Sequence, residues 1–468
     1  MVFRIVAKSP YRLAAKISGV ALTLGLAACA QQQTPTTSAT PGAGATPTGT
    51  TSTPVAAAPS RLNLAQPVSL TGAGASFPAP LYQRWFSDFN KANPNVQINY
   101  QSIGSGAGVE QFIAGTVDFG ASDVAMKDEE IAKVKQGVML LPMTAGSIVV
   151  AYNLPDVAQL QLPRDVYVDI FQGKITKWND PKIAAANPDA KLPDLPITVV
   201  HRSDGSGTTG VFTKHLSAVS PEWKTKIGEG KTVSWPTGAN FVGAKGNEGV
   251  TAQVIQTTGA IGYVEYGYAK QNNVKFAALQ NKAGNFVLPT DESASQTLAS
   301  VTLPENLRAF IEDPDGAQSY PIVTYTWLLA YRQYPNAAKA QAIEAMIEYG
   351  LTEGQKVAAE LGYVPLPPNV VQQVAAAADA ISPEYKIAVA AATPTTLPGT
   401  TTTPGATPTS PTGTTATPGA TLTSPDTTVT PGTTPLSPDT IGTPGASPGS
   451  PTDTTTPAAT PTPPAATP

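Results

Sequence analysis

Three short segments of the sequence combine glycine with hydroxyl side chains directly before a stretch of helix-forming residues. They are Gly72–Phe77, Gly104–Gly108 and Arg202–Thr208. The first turn of a helix carries unpaired backbone N–H groups and the positive end of the helix dipole, so it favours an anion. Ser and Thr add donors, and the guanidinium of Arg202 can bond two oxygens at once. Three such loops, if they converge, predict a site for a tetrahedral anion.

Each loop alone also fits other interpretations, the simplest being an N-cap serine beside a turn glycine. The third loop matches G-x-G-x-x-G at Gly205, Gly207 and Gly210, as in dinucleotide-binding folds. Asp204 disfavours that interpretation, because its carboxylate would face a pyrophosphate that has no proton to share. The sequence contains no P-loop motif, and neither histidine lies in a G-x-S-x-G context typical of a serine hydrolase.

The segments around these loops alternate between strand-like and helix-like patterns. Such alternation predicts an α/β fold. Strands are predicted at Val68–Leu70, Val96–Tyr100, Val117–Gly120, Ser147–Tyr152 and Ile197–Val200, and helices at Leu81–Phe89, Val109–Ala114, Glu129–Lys135 and Gly210–Leu216.

Composition excludes several classes of function. Of the 468 residues, 29 are Lys or Arg and 33 are Asp or Glu, which disfavours a basic nucleic-acid binder. One Cys and two His cannot supply a Cys/His zinc site or a disulfide framework. An all-carboxylate metal site is left open by these counts, but we expect neither a metal nor another cofactor.

The N-terminal residues are typical of an export signal. The apolar stretch Ile17–Ala28 is too short to span about 30 Å of hydrocarbon comfortably. It ends in Leu26–Cys29, which resembles the lipobox of bacterial lipoprotein precursors, and this predicts lipidation of Cys29; the alternative is an ordinary cleaved signal with an incidental cysteine. The basic residues before the apolar stretch are Arg4, Lys8, Arg12 and Lys16.

Two further regions are too poor in apolar side chains to support a core. Residues 29–67 and residues 393–468 are rich in Thr, Pro, Gly and Ala, and Thr-Pro-Gly triplets recur in the second region. Such compositions do not bury enough apolar surface to offset the entropy of ordering. They predict a flexible linker and a disordered tail, and they leave open whether the tail is a cell-wall spacer, a glycosylated stalk or a dispensable segment.

Four motifs in order resemble one family. They are Leu70–Pro80, Val117–Asp123, Arg202–Thr208 and Gly259–Tyr266. Together they resemble the lipoprotein or periplasmic phosphate-binding proteins of phosphate-specific ABC transporters, and the likeness runs from about Leu70 to about Tyr385. The resemblance implies a two-lobed clamshell of the type II periplasmic-binding-protein class. The chain would cross the hinge near Thr144–Ser147 and near Tyr320–Thr324.

This resemblance completes the predicted domain organisation. It comprises a lipoprotein signal peptide at 1–28, a flexible linker at 29–67, lobe I at 68–146 and 320–392, lobe II at 147–319, and a disordered Thr/Pro/Gly-rich tail at 393–468.

The resemblance also implies a set of phosphate-binding residues. Ser76 stands where the family often has Thr, and Gly106 replaces a frequent second serine beside Ser105; neither departure changes the expected ligand. The implied set is Ser76, Phe77 (through its backbone N–H), Ser105, Asp123, Arg202, Asp204, Ser206, Gly207 and Thr208.

Two carboxylates in an anion site have a physical explanation. Phosphate near neutral pH carries at least one proton, so an ionised Asp123 can accept a hydrogen bond from it. Sulfate has no such proton and would meet an unpaired buried charge, which selects against it. The resemblance suggests that Asp204 holds the guanidinium of Arg202 in place, and the alternative is that Asp204 caps a helix.

The function implied is an extracytoplasmic receptor, in the periplasm or cell envelope of a bacterium. It would capture inorganic phosphate and deliver it to the membrane permease pair of an ABC importer. We expect a monomer that is held at the membrane by its lipid, binds no nucleic acid and is not an enzyme. The alternatives are a phosphatase-like enzyme that uses the same anion site, and a phosphate-sensing or adhesive surface protein in which the tail is the functional part.

Overall fold

The computed structural model describes residues 62–238 and 240–390. The predicted signal peptide, the predicted lipidation site Cys29, most of the predicted linker and the predicted tail lie outside the described residues. Among the residues that are described, there is no helix with both the length and the apolar character that a membrane crossing requires.

Strands and helices alternate along the described chain, which confirms the predicted α/β class. The strands are β1 (Val68–Gly74), β2 (Val96–Ser102), β3 (Phe119–Ser122), β4 (Val138–Tyr152), β5 (Gln161–Leu162), β6 (Thr198–Arg202), β7 (Phe241–Ala244), β8 (Ala260–Glu265), β9 (Lys275–Phe276), β10 (Ala278–Gln280), β11 (Phe286–Val287) and β12 (Val323–Tyr331). The helices are α1 (Ala79–Ala92), α2 (Ser105–Ala114), α3 (Asp128–Ile131), α4 (Arg164–Phe171), α5 (Pro181–Ala186), α6 (Gly207–Val219), α7 (Pro221–Lys226), α8 (Gly246–Gln256), α9 (Tyr266–Gln271), α10 (Asp291–Ala299), α11 (Ala337–Leu351), α12 (Glu353–Ala358) and α13 (Pro368–Ala378).

Nine of the described strands form one mixed sheet with the order β2-β1-β3-β12-β4-β8-β6-β7, and β9 also pairs with β4. The long strand β4 divides the sheet. Its residues from Val138 to Ser147 pair with β12, and its residues from Ile148 to Tyr152 pair with β8. We call the strands on the β12 side the first half of the sheet and those on the β8 side the second half.

The change of partner along β4 falls at Ser147, inside the first predicted hinge crossing. The second crossing was predicted at Tyr320–Thr324, and β12 begins there, with Val323 opposite Ser147. The two strands therefore run side by side where the two halves of the sheet meet. The limits of the two lobes stay a prediction.

Strand β4 is buried along its whole length, which explains its nearly continuous apolar sequence. The sequence predicted only its last six residues, because the run from Val138 to Met143 contains a proline. Pro142 is tolerated at an irregularity, since the register of β4 and β12 shifts between Thr326 and Trp327. Because proline has no N–H to donate to a neighbouring strand, it is accommodated where the regular hydrogen bonding between β4 and β12 is interrupted.

The parallel strands direct their carboxyl ends towards one region. Strands β1, β2 and β3 are parallel in the first half, and β6, β7 and β8 are parallel in the second half. The loops that follow the carboxyl ends of such strands are where α/β folds bind ligands. The three segments singled out from the sequence lie at the carboxyl ends of β1, β2 and β6 and run into the helices that follow them.

Candidate functional site

The three glycine- and hydroxyl-rich loops meet in the structure. The N–H of Gly106, at the start of α2, donates to the carbonyl of Gly205 (2.8 Å), which joins the second loop to the third. Asp123 follows β3, and its backbone N–H donates to Oγ of Ser105 (3.3 Å). The hydroxyl of Thr208 donates to Oδ2 of Asp123 (3.4 Å). Loops from both halves of the sheet thus enclose one polar site.

Glycine is required at two points where the two halves of the sheet approach each other. A Cβ on Gly207 would lie 2.4 Å from Oγ of Ser105 and 2.7 Å from Oδ2 of Asp123. A Cβ on Gly104, whose φ is 88°, would lie 2.4 Å from Oδ2 of Asp204. No side chain fits at either distance, so these glycines allow the backbone to close around the site.

Asp123 is the buried carboxyl of this site, with 1% of its surface exposed. Its Oδ1 accepts a hydrogen bond from the hydroxyl of Thr326 (2.9 Å) on β12. Burial raises the pKa of Asp123 to about 7, although hydrogen bonds from Thr326 and Thr208 and the charge of Arg202 act in the opposite direction. With this pKa, small changes around Asp123 near neutral pH can shift the balance between its protonated and its ionised form.

Arg202 and Asp204 form a two-bond ion pair at the end of β6. Nε of Arg202 lies 2.7 Å from Oδ1 of Asp204, and Nη2 lies 2.5 Å from Oδ2. Burial by itself would raise the pKa of Asp204, but the hydrogen bonds and charge of Arg202 hold that pKa below its ordinary value. The N–H of Gly246 also donates to Asp204 (3.0 Å). The pair fixes the guanidinium, whose Nη1 points at the hydroxyl of Thr208 (3.4 Å).

Asp204 is not the cap of α6, the helix that follows it in sequence; its side chain instead accepts the N–H of Gly246, the first residue of α8. Helix α6 is capped by Ser206, whose Oγ accepts the backbone N–H of Thr209 (3.0 Å). The side chain of Asp204 is instead engaged by Arg202 and Gly246.

The remaining predicted residues lie in or beside the same polar site, which we call the enclosure. Ser76, Phe77, Ser105, Ser206 and Thr208 each have at most 1% of their surface exposed. The structure therefore brings together side chains or backbone from each predicted loop, and their assignment to a bound anion stays a prediction.

Sequence reasoning missed two residues of the enclosure. Asn247, at the start of α8, contacts the hydroxyls of Ser76 and Thr208. It directly follows Gly246, so the criterion of a glycine ahead of a helix would have found it. Thr326 lies in an apolar strand, and no local pattern marks it as a partner of Asp123.

The two histidines are engaged away from the carboxyl of Asp123. The ring of His201 stacks on Trp235, with ring centroids 5.0 Å apart. His215 is buried and contacts the hydroxyl of Tyr167 (2.8 Å) and the carbonyl of Glu312 (2.8 Å). No group of three or more His, Cys, Asp or Glu side chains placed to hold a metal ion is found in residues 62–238 and 240–390.

The fold and the enclosed polar site define an α/β ligand-binding protein with its site between two halves of the structure. A family model described as "PBP superfamily domain" matches residues 29–353. The chain is 46% identical over 315 residues to the phosphate-binding protein PstS of Pasteurella multocida, covering 66% of this chain and 90% of that protein. It is 41% identical over 322 residues to PstS of Methanocaldococcus jannaschii, covering 64% and 82%. The chain therefore belongs to the PstS family of phosphate-binding proteins, within the PBP superfamily.

A solved structure shows the same fold at lower sequence identity. The periplasmic phosphate-binding protein PfluDING, solved with bound phosphate, aligns with a TM-score of 0.56 and 23% identity, covering 66% of this chain and 93% of that chain.

Proposed function

We propose that this protein is an extracytoplasmic receptor that captures inorganic phosphate and delivers it to an ABC-type importer. The observation that carries the proposal is the enclosure of a buried carboxyl, Asp123, among hydroxyls and a fixed guanidinium, with contributions from both halves of the sheet. The names of the relatives, all phosphate-binding proteins, support the same ligand.

The chemistry of the enclosure suits an anion that carries a proton. Hydroxyls, backbone N–H groups and the guanidinium of Arg202 donate to oxygens, whereas an ionised Asp123 can only accept. Phosphate offers both kinds of partner, because it has a proton to give to Asp123. Sulfate would leave a buried carboxylate facing a second negative charge, and burying an unpaired charge is costly.

The residues proposed to form the phosphate site are those implied by the resemblance to phosphate-binding proteins. In this proposal Asp204 acts by holding Arg202, Gly207 and Phe77 contribute backbone N–H groups, and Asp123 accepts the proton of phosphate. Hydroxyl donors are supplied by Ser76, Ser105, Ser206 and Thr208.

Phosphate reaches this site by a hinge motion. We assign residues 68–146 and 320–392 to lobe I and residues 147–319 to lobe II, with the hinge where β4 and β12 lie side by side. In this proposal the described conformation is the closed one, and its closure is supported by two contacts between the assigned lobes: Tyr268 donates to the carbonyl of Ser76 (2.7 Å), and Lys231 pairs with Glu130 (2.7 Å). Opening separates these pairs and admits the ligand.

The N-terminal segment fits a protein that works at a membrane surface. In the proposal, residues 1–28 direct export, Cys29 carries the lipid, and residues 29–67 hold the receptor within reach of the permease pair. The receptor is a monomer and performs no catalysis.

Calorimetric titration of the purified chain, stripped of endogenous ligand, tests this function. We expect inorganic phosphate to bind one-to-one, and sulfate and a phosphate monoester to bind at least about 10³-fold more weakly, as expected when several charged hydrogen bonds of roughly 1.5–3 kcal/mol each are lost. Equal binding of sulfate or the monoester would contradict the proposed ligand. Release of phosphate from the monoester would support the phosphatase alternative instead.

A further inference from the structure

Asn247 is a buried amide that none of the predicted loops contains. It is the second residue of α8 and has no exposed surface. Its Nδ2 lies 3.0 Å from Oγ of Ser76 and 3.2 Å from Oγ1 of Thr208. Asn247 thus connects two of the hydroxyls proposed to bind phosphate, one from each half of the structure.

The orientation of this amide is determined by its third partner. Its Oδ1 accepts the backbone N–H of Glu265 (2.9 Å). A backbone N–H can only donate, so the oxygen of the amide must face Glu265 and the NH₂ group must face the two hydroxyls. Both hydroxyl oxygens are therefore acceptors towards Asn247.

The hydroxyl of Ser76 can only donate a hydrogen bond to any further partner. Its oxygen accepts from Nδ2 of Asn247 and also from the backbone N–H of Asn247 (3.0 Å). A serine hydroxyl has two acceptor lone pairs and one proton, so both lone pairs are occupied. Among the described residues, none accepts the proton of this hydroxyl, which leaves it for a ligand.

The hydroxyl of Thr208 is constrained in the same way. Its oxygen accepts from Nδ2 of Asn247 and faces Nη1 of Arg202 (3.4 Å). Its proton is directed at Oδ2 of Asp123 (3.4 Å), at a separation that a closer anion oxygen can outcompete. Thr208 is therefore also restricted to donating.

We propose that Asn247 is a positioning residue that fixes the hydroxyls of Ser76 and Thr208 as proton donors to the bound anion. This inference rests on the proposed function and adds to it a source of selectivity. A free hydroxyl can accept the proton of phosphate, whereas these two cannot, so that proton is directed to Asp123. Asn247 acts through other side chains and need not touch the ligand itself.

A purely structural role for Asn247 makes a different prediction. In that role the side chain would act through the bond that its Oδ1 accepts from the N–H of Glu265, which joins the start of α8 to the end of β8. Loss of that bond would lower phosphate affinity by the same factor whether or not the two hydroxyls are present. The two roles therefore differ in how Asn247 couples to Ser76 and Thr208.

The test is a mutant cycle read by phosphate calorimetry on the full chain. We expect Asn247→Ala to lower phosphate affinity about 10- to 100-fold in the native background, because two donors to a charged ligand lose their orientation. In a Ser76→Ala, Thr208→Val background the same change should cost less than about 3-fold, since the hydroxyls it acts on are gone. An equal loss in both backgrounds would overturn the proposal.

Two further variants keep the test decisive. Asn247→Asp is isosteric and serves if the alanine variant does not fold; its second oxygen would accept from both hydroxyls, so it should lose more affinity than alanine in the native background. Part of that extra loss should disappear in the Ser76→Ala, Thr208→Val background. A loss caused only by the negative charge of the new carboxylate would persist there. Thr251→Val is the control, because Thr251 bonds only the carbonyl of Asn247 (2.8 Å) on the same helix, and we expect native affinity.

Phosphate binding by the native chain distinguishes a failure of the proposed function from a failure of the inference about Asn247. If the native chain binds no phosphate, the proposed function fails. If the native chain binds phosphate but Asn247 shows no coupling to the hydroxyls, only the inference about Asn247 fails.

Discussion

Substituting Asp123 by asparagine is expected to admit sulfate to the site. The amide can donate a hydrogen bond where the carboxylate can only accept one, and it removes the buried negative charge that repels sulfate. Phosphate in turn loses the acceptor for its proton, a charged hydrogen bond worth roughly 1.5–3 kcal/mol. Because both changes act in the same direction, the ratio of phosphate to sulfate affinity should fall by about 10²-fold or more.

The measurement is paired calorimetry of phosphate and sulfate at pH 8. Burial raises the pKa of Asp123 to about 7, so this pH keeps the native carboxyl mostly ionised. Asp128→Asn removes an equal charge from an exposed side chain that pairs with Arg308, and it should leave the ratio unchanged. Continued exclusion of sulfate by the Asp123→Asn variant would show that selectivity arises elsewhere.

Gly207→Ala should prevent the two halves from closing on the ligand. Its Cβ would lie 2.4 Å from Oγ of Ser105 and 2.7 Å from Oδ2 of Asp123, and both partners belong to the opposite half of the sheet. The backbone of Gly207 is not in the left-handed region, so alanine at this first position of α6 should leave the helix itself intact. We expect a loss of phosphate affinity of about 100-fold or more, equal to roughly 3 kcal/mol, without loss of the fold.

Calorimetry measures that loss, and small-angle scattering tests its cause. The native chain should contract when phosphate is added, whereas the Gly207→Ala variant should not. Gly249→Ala is the matched control, because Gly249 also lies in the first turns of a helix, α8, and its added Cβ meets nothing closer than 3.6 Å. Native affinity in Gly207→Ala would mean that the two halves do not approach as closely as the structure indicates.

The sequence located most of the enclosure because each loop carries its own signal. Glycines and hydroxyls stand at the starts of α2 and α6, and the glycine-rich end of β1 leads through Ser76 into α1. The local pattern therefore marked Ser76, Ser105 and Ser206 without knowledge of the fold. That the loops meet could not be derived from local patterns, because it depends on the order of strands in the sheet. The resemblance to a known family supplied that information.

Other features depend on contacts that are distant in sequence. Thr326 bonds Asp123 from a strand about 200 residues away, and its immediate neighbours in β12, Tyr325 and Trp327, give no sign of it. The first part of β4 was missed because Pro142 interrupts its pattern, and only the register shift opposite it explains why the strand continues. The orientation of Asn247 follows from the N–H of Glu265, which no spacing reveals.

A crystal structure of the chain with phosphate would locate the anion and each of its contacts. We predict one phosphate between the two halves, within hydrogen-bonding distance of Ser76, Arg202 and Thr208. We also predict a short contact of about 2.5–2.7 Å between one phosphate oxygen and the carboxylate of Asp123, as for a charge-assisted O–H···O⁻ bond. A phosphate bound elsewhere, or one whose oxygens all lie beyond hydrogen-bonding distance of Asp123, would contradict the proposed site.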